Sequence, residues 1–285
     1  GQAVLLCGPT GTGKSALLRD VIASDLSMDK YTPLVMQFSS RTSALKTQEI
    51  LGERFVKRRR GVYGPEGGKE LLVMIDDLHI PEIEEYGAQP VCELVRQLLE
   101  ISGFYDAKGD RSFHELQNYQ IVGTVAPEGG GRNSISPRLM RHFNLMCFCE
   151  CDESALFRIF TRIVKWHFRE RCIFPSDVAG NDFAVVNGTL QVYDSARKTL
   201  LPTPARSHYT FNLRDFSKII QGVLQVKPYD KFGSHDLCRL WCHETIRVIG
   251  DRLVNARHRA WLCECVAENL VDCFDIRFED AFPAA

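Results

Sequence analysis

The stretch GPTGTGKS at residues 8–15 decides which fold this sequence predicts. It fits the pattern G-x-x-x-x-G-K-[ST] at every position: Gly8, Pro9, Thr10, Gly11, Thr12, Gly13, Lys14 and Ser15. The apolar run Ala3–Cys7 before it predicts a buried strand, and apolar residues within 17–22 recur at helical spacing after it. A strand, a glycine-rich turn and a helix in this order predict a P-loop, whose backbone N–H groups and helix N-terminus bind phosphate. The alternative, a chance glycine turn, is disfavoured by this context.

Four side chains supply the chemistry that a phosphate site needs. We expect the Lys14 ammonium to reach the β- and γ-phosphates of ATP, and the Ser15 hydroxyl to bind Mg²⁺. Asp76 and Asp77 follow the apolar run 71–75, and Asp76 is predicted to hold Mg²⁺ directly or through water. Asp77 is predicted to polarise the attacking water, with a helix-capping or loop role as the alternative. Its side chain is one methylene shorter than the usual Glu, which affects hydrolysis more than binding.

Further periodic segments predict the rest of the fold. Apolar runs at 33–38, 71–75, 121–125 and 145–149 predict strands of a mostly parallel sheet. A polar helix over 43–57, an apolar helical stripe over 91–99 and turn-rich insertions at 61–68 and 104–119 lie between them. After about residue 150 only helical patterns recur. We therefore expect an α/β domain with a parallel five-stranded sheet over 1–170, followed by a small all-helical domain over 171–285.

One threonine and three arginines are further candidates around the phosphates. Thr124 is the polar residue of the fourth strand that we expect beside the γ-phosphate, with its register open. Arg138 and Arg141 precede the fifth strand on a short helix, where they can act as arginine fingers on a neighbour's nucleotide or form surface ion pairs. Arg214 begins a helix of the second domain and can fold over the phosphates or form a surface pair. The segment 129–133, GGGRN, predicts a flexible loop or a plain connector.

Charge and hydropathy exclude several partners. The 285 residues carry a formal net charge of −1, which gives no bulk attraction to nucleic acid or to an anionic membrane. The basic run KRRR at 57–60 is interpreted as a solvated turn, and no stretch approaches the ~18 apolar residues of a membrane span. We therefore expect neither a nucleic acid nor a membrane as partner. Because the sequence starts at Gly1 inside a strand, we expect a longer parent protein.

The eleven cysteines indicate a reducing compartment rather than a metal site. No pair has the C-x-x-C spacing of zinc ribbons or redox motifs, and the histidines show no ligand spacing. Many free thiols in a chain of this size fit a reducing compartment. Cys147, Cys149 and Cys151 alternate as one face of a strand does.

Longer segments carry a family resemblance. They are GPTGTGKS at 8–15, VMIDDLHIPEIEEYGAQP at 73–90, APEGGGRNSISPRLMRHFN at 126–144, LPTPARSHYTFNLRDFSKIIQGV at 201–223 and HDLCRLWCHETIRVIGDRL at 235–253. In this order they resemble the third AAA+ module of dynein heavy chains over nearly the whole chain. The P-loop is generic, whereas YGAQP, GGGRN and FNLRDFSK are more specific. The Asp-Asp pair and GGGRN are more similar to ciliary and flagellar dyneins than to cytoplasmic ones.

The resemblance implies a parent protein, cofactors and partners. The parent would be a microtubule motor with six AAA+ modules in one ring, located at the cytoskeleton of the ciliary or flagellar axoneme. Its partners would be neighbouring AAA+ modules of the same heavy chain, dynein intermediate and light chains, and microtubules bound through other parts. The cofactors would be ATP or ADP with Mg²⁺.

The resemblance also implies roles for single residues. Lys14 and Ser15 match the P-loop roles, Asp76 and Asp77 match the Walker B pair, and Arg214 matches the sensor arginine of the small domain. Arg138 or Arg141 matches the finger that serves the neighbouring module. Ala126 stands where cytoplasmic members have Asn, which weakens the case for efficient hydrolysis. Two functions remain: a slowly hydrolysing ATPase module that times a motor, and a nucleotide-binding structural or regulatory module with little or no hydrolysis.

Overall fold

The chain folds into two compact units, Gly1–Glu150 and Cys151–Ala285. The structure is a computed structural model that describes residues 2–109, 111–127, 133–229 and 232–282. The strands of these residues are β1 (Ala3–Cys7), β2 (Tyr31–Gln37), β3 (Phe55–Arg59), β4 (Val62–Pro65), β5 (Glu70–Asp76), β6 (Gly103–Tyr105), β7 (Phe113–Leu116), β8 (Tyr119–Val125) and β9 (Phe143–Cys147).

The helices follow the same order along the chain. They are α1 (Lys14–Ser24), α2 (Ala44–Gly52), α3 (Pro90–Ile101), α4 (Pro137–Met140), α5 (Glu153–Trp166), α6 (Ser176–Ala179), α7 (Asp182–Thr199), α8 (Leu213–Val223), α9 (Ser234–Ile249), α10 (Ala256–Phe274) and α11 (Phe278–Ala281). A π-helical turn, His167–Arg171, follows α5 directly. The predicted α/β fold with a helical second part is confirmed.

The central sheet of the first unit is parallel and has the strand order β2-β5-β8-β1-β9. Its inner strands are apolar runs because both faces are covered: Leu5, Leu71, Val73, Ile75 and Ile121 are at most 2% exposed. Burying one such side chain contributes about 1.5–3 kcal/mol. The carboxyl ends of parallel strands meet at one edge, and ligands of open α/β sheets bind there.

The two turn-rich insertions build a second sheet with the order β3-β4-β7-β6. The predicted helix over 43–57 was wrong in its second half, because α2 ends at Gly52 and β3 begins at Phe55. Pairing of β3 with β4 overrides helical propensity there, as tertiary context often does. The basic run 57–60 is exposed as expected, but most of it belongs to β3 rather than to a turn.

The fifth parallel strand begins and ends two residues earlier than predicted. β9 ends at Cys147, so Cys149 and Cys151 lie beyond it. The predicted alternation of these cysteines along a strand face was therefore wrong. Burial of Phe143 against the core extends the strand at its start.

The second unit, Cys151–Ala285, is a helical bundle around Trp241 of α9. Trp241 is fully buried, and its indole N–H donates to the Thr189 hydroxyl at 2.9 Å. Gly188 of α7 packs against the indole ring so closely that a Cβ at this position would lie 3.1 Å from the ring. In the ranges that the structure describes, no helix is both long enough and apolar enough to cross a membrane.

Candidate nucleotide site

The predicted P-loop connects β1 to α1. Gly13 has φ +87° and immediately precedes the first helical residue, Lys14, so a residue with a side chain would be strained there. Gly8 is required for a different reason: a Cβ would lie 2.4 Å from the Phe148 carbonyl oxygen. These two glycines therefore allow the close turn by which the chain passes from β1 into the N-terminus of α1, and a helix N-terminus favours anions.

Lys14 is tied to this loop by its own side chain. Its ammonium donates to the carbonyl oxygens of Gly8 and Pro9, both at 2.7 Å, and the residue is only 8% exposed. A buried ammonium beside the loop backbone is well placed to meet phosphate oxygens that enter the loop.

Asp76 is the centre of a hydrogen-bond network at the carboxyl edge of the sheet. One oxygen, Oδ1, accepts from Ser15 Oγ at 2.5 Å and from Thr124 Oγ1 at 2.6 Å. Strand order explains this meeting, because β8 lies between β5, which ends in Asp76, and β1, which leads to the P-loop. The carboxylate, 4% exposed, is thus fixed by hydroxyls from two neighbouring segments.

The structure settles the register of Thr124, which the sequence left open. Ile75 pairs with Gly123 and Leu6 with Thr124, so Thr124 is level with Asp76. Its hydroxyl also accepts the backbone N–H of Asp77 at 3.0 Å. Asp77 itself has φ +58°, a left-handed conformation that Asp tolerates better than most residues. This conformation turns the chain out of β5 immediately after Asp76.

Sequence reasoning missed one charged residue of the site, Arg19. Its guanidinium lies 3.4 Å from Asp76 Oδ2, although the side chain is more than half exposed. The signal was present, because Arg19 is four residues after Ser15 and so shares its face of α1. The Arg19 guanidinium is thus the solvent-facing partner of a buried carboxylate.

The three candidate arginines lie at exposed positions. Arg138 is on α4, and Arg141 directly follows it. The Arg141 guanidinium forms an ion pair with Glu100 at 3.0 Å, which is the kind of contact that the alternative interpretation predicted. Arg214 lies in the second unit, in the first turn of α8, where its backbone N–H donates to Asn212 Oδ1. Among the described residues, neither Arg138 nor Arg214 has an ion-pair partner.

Ala126 and the GGGRN segment are the two remaining features that the sequence singled out. Ala126 directly follows β8 and is buried, with 7% exposure. Residues 128–132, which contain most of the predicted GGGRN loop, lie outside the described residues. Asn133, its last residue, donates from Nδ2 to the Pro81 carbonyl oxygen at 2.7 Å.

The donor set suits Mg²⁺ with a nucleotide. Mg²⁺ prefers oxygen ligands and in nucleotide sites takes only one or two from the protein, with phosphates and waters completing its shell. Ser15 Oγ and Asp76 Oδ1 are such a pair, 2.5 Å apart beside the loop. In the described ranges, no group of three or more His, Cys, Asp or Glu side chains is arranged to bind a metal ion by protein ligands alone.

Two protein-family models match successive parts of the sequence. Residues 1–151 match the family described as P-loop containing dynein motor region. Residues 185–282 match the AAA+ lid domain. The first match covers the five-stranded sheet and the complete network around Asp76.

Individual relatives agree with this. Dynein axonemal heavy chain 12 of Mus musculus is 41% identical over 282 residues, which is 99% of this chain and 9% of the relative. Dynein axonemal heavy chain 1 of Homo sapiens is 42% identical over 291 residues, 99% of this chain and 7% of the relative. The chain thus spans less than a tenth of the length of these relatives. From the family match and from these similarities, the chain belongs to the P-loop-containing dynein motor region family of AAA+ proteins.

Proposed function

We propose that this chain binds ATP with Mg²⁺ and hydrolyses it slowly, as the third AAA+ module of an axonemal dynein heavy chain. The observation that carries the proposal is the Asp76 carboxylate, which joins the P-loop residue Ser15 to Thr124. A carboxylate and a hydroxyl fixed beside a phosphate loop form the protein side of a Mg²⁺–nucleotide site. The membership of the dynein motor family supports an ATPase.

The proposed roles follow from position. Residues 8–15 hold the phosphates with their backbone N–H groups, and Lys14 moves its ammonium from the loop carbonyls to the β- and γ-phosphates. Ser15 and Asp76 ligate Mg²⁺, which neutralises phosphate charge when bound. Asp77 orients the attacking water and accepts its proton. Thr124 is a positioning residue, because its hydroxyl holds both the Asp76 carboxylate and the Asp77 amide.

The arginine assignments concern neighbours and the lid. We assign Arg138 and Arg141 to a site on the adjacent module, since both are exposed on or next to α4. Breaking the exposed Arg141–Glu100 pair for this purpose costs little. Arg214 is assigned to the phosphates of this chain as the sensor arginine. We assign residues 1–170 to the nucleotide-binding domain, so that its boundary lies after α5, and residues 171–285 to the lid.

The cellular setting is proposed from the relatives, whose names are those of axonemal dynein heavy chains. The module would act in a ciliary or flagellar axoneme, between neighbouring AAA+ modules of the same heavy chain. Intermediate and light chains, and microtubules, would be bound by other parts of the parent.

A second candidate is a nucleotide-holding module with little or no turnover. The short Asp77 side chain and the apolar Ala126 favour it, because both weaken the positioning of the attacking water. Intact Lys14, Ser15 and Asp76 support binding in either case.

Single-turnover hydrolysis in the parent motor separates the two candidates. The motor is loaded with labelled ATP, and product at this site is compared between the wild type and Asp77→Asn. We expect slow product formation that the variant slows further by about 10²–10⁴-fold. Nucleotide retained unhydrolysed in both proteins would favour the second candidate, and absence of retained nucleotide would reject both.

A further inference from the structure

Two cysteines lie opposite each other at the strand ends next to the P-loop. Cys7 is the last residue of β1, Cys147 is the last residue of β9, and the two are register partners in the parallel ladder. Register partners in parallel strands point to the same face of the sheet. Both thiols are free, Cys147 is exposed and Cys7 is partly exposed.

The ladder brings their backbones within the range of a disulfide. Neighbouring strands lie about 4.7–4.9 Å apart. Disulfides are found at Cα–Cα separations of about 4.4–6.8 Å, with Cβ atoms about 3.8 Å apart. β9 is an edge strand of the sheet, so its end can approach β1 without breaking a ladder on its other side. The electrostatics also indicate that the two thiols are close: burial raises the pKa of Cys7, and the charge of the neighbouring Cys147 thiolate raises it further.

Movement of the end of β9 toward β1 would also change the position of the P-loop. The Cys7 carbonyl oxygen accepts the Phe148 N–H at 2.7 Å, so the residue after β9 is already bonded to the residue before the loop. Gly8 has no room on this side, since even a Cβ would lie 2.4 Å from the Phe148 carbonyl oxygen. The Gly8 carbonyl oxygen in turn holds the Lys14 ammonium. Movement of Phe148 toward β1 therefore displaces the start of the loop.

We propose that Cys7 and Cys147 form a reversible disulfide under oxidation, and that this bond weakens nucleotide binding at the P-loop. The second half rests on the proposed function, whereas the first half does not. The oxidant is a peroxide. The exposed Cys147 thiolate attacks a peroxide oxygen and the O–O bond breaks. Cys147 becomes a sulfenic acid, and the hydroxide that leaves takes a proton to become water. The Cys7 thiolate then attacks the Cys147 sulfur, the S–S bond forms, the S–O bond breaks, and hydroxide leaves as water after taking a proton.

The balance is complete: two thiols and one hydrogen peroxide give one disulfide and two waters. A dithiol such as dithiothreitol reverses the reaction by exchange. Cys149 is the natural control, because it is also exposed but lies beyond the end of β9.

The test treats the chain with hydrogen peroxide and maps disulfides by mass spectrometry after proteolysis without reduction. We expect a peptide pair that joins Cys7 to Cys147 in the wild type and in Cys149→Ser, and none in Cys147→Ser. A bridge to another cysteine, or oxidation to sulfinic acid only, would overturn the inference. The mapping decides the disulfide even if no protein form binds ATP.

The second measurement is ATP affinity before oxidation, after it, and after dithiothreitol. We expect a loss of about tenfold on oxidation, equal to about 1.4 kcal/mol, with recovery on reduction. Cys147→Ser should keep its affinity throughout. A mapped Cys7–Cys147 bridge with unchanged affinity would refute the effect on the loop, and a reduced protein that binds no ATP would refute the proposed function instead.

Discussion

The hydroxyl of Thr124 offers the sharpest single perturbation of the site. Thr124→Val keeps the shape of the side chain but removes both hydrogen bonds, one donated to Asp76 Oδ1 at 2.6 Å and one accepted from the Asp77 N–H at 3.0 Å. Thr124→Ser is the matched control, because it retains the hydroxyl and loses only a methyl group. The side chain is 1% exposed, so water cannot replace the lost partner.

The cost can be estimated from these two contacts. A hydrogen bond to a charged group contributes about 1.5–3 kcal/mol, and a buried donor without a partner costs about 1–3 kcal/mol. Asp76 keeps its bond from Ser15, so we expect a total of about 2–4 kcal/mol for the valine variant. Loss of a single buried methyl group in the serine variant costs about 1 kcal/mol.

Hydrogen exchange at the Asp77 amide measures this directly. The valine variant should exchange this amide at least about tenfold faster than the wild type, because each 1.4 kcal/mol of lost protection is a factor of ten. The serine variant, which loses about 1 kcal/mol, should exchange this amide at most about fivefold faster than the wild type. Equal protection in the wild type and the valine variant would refute the role of Thr124, as would equal loss in both variants.

Three further predictions concern the same edge of the sheet. Asp77→Asn should keep ATP affinity and slow hydrolysis in the full motor by about 10²–10⁴-fold, and unaffected turnover would remove Asp77 as the base. Gly8→Ala should lower the free energy of unfolding by about 1–3 kcal/mol through its clash with Phe148, whereas Gly52→Ala, with open space around it, should not; equal stability of the two variants in urea denaturation would contradict the clash. The purified chain should release phosphate very slowly, because an arginine finger from a neighbour supplies about 10³–10⁵ in rate. A fast rate of phosphate release that does not depend on protein concentration would contradict this prediction. A rate that rises steeply with concentration would indicate that self-assembly supplies the arginine.

The five parallel strands were predictable because each is a dense apolar run between turn signals. The order of the strands was not predicted from these runs, since order depends on which faces pack together. The same limit explains the error at β3: Phe55 and Val56 continue a helical pattern locally, and only their pairing with β4 makes them a strand.

The site was predictable in its residue types and less so in its contacts. The P-loop and Asp76 could be predicted because each is defined by a short local pattern: a glycine-rich turn between a strand and a helix, and an acidic residue at the end of an apolar strand. The level of Thr124 depends on the register between β5 and β8, and the contact of Arg19 depends on the orientation of α1 over the sheet. Both are tertiary properties, although the four-residue spacing of Ser15 and Arg19 indicates that they share one face of α1.

The most direct test of the central claim is a calorimetric titration of the chain with ATP and Mg²⁺. Wild type is compared with Lys14→Ala and with Lys57→Ala, an exposed lysine of β3. We predict saturable binding in the wild type, the same affinity in Lys57→Ala, and a loss of at least about tenfold in Lys14→Ala, because a charge-assisted contact contributes about 1.5–3 kcal/mol. Unchanged affinity in Lys14→Ala, or no binding by the wild type, would contradict the account.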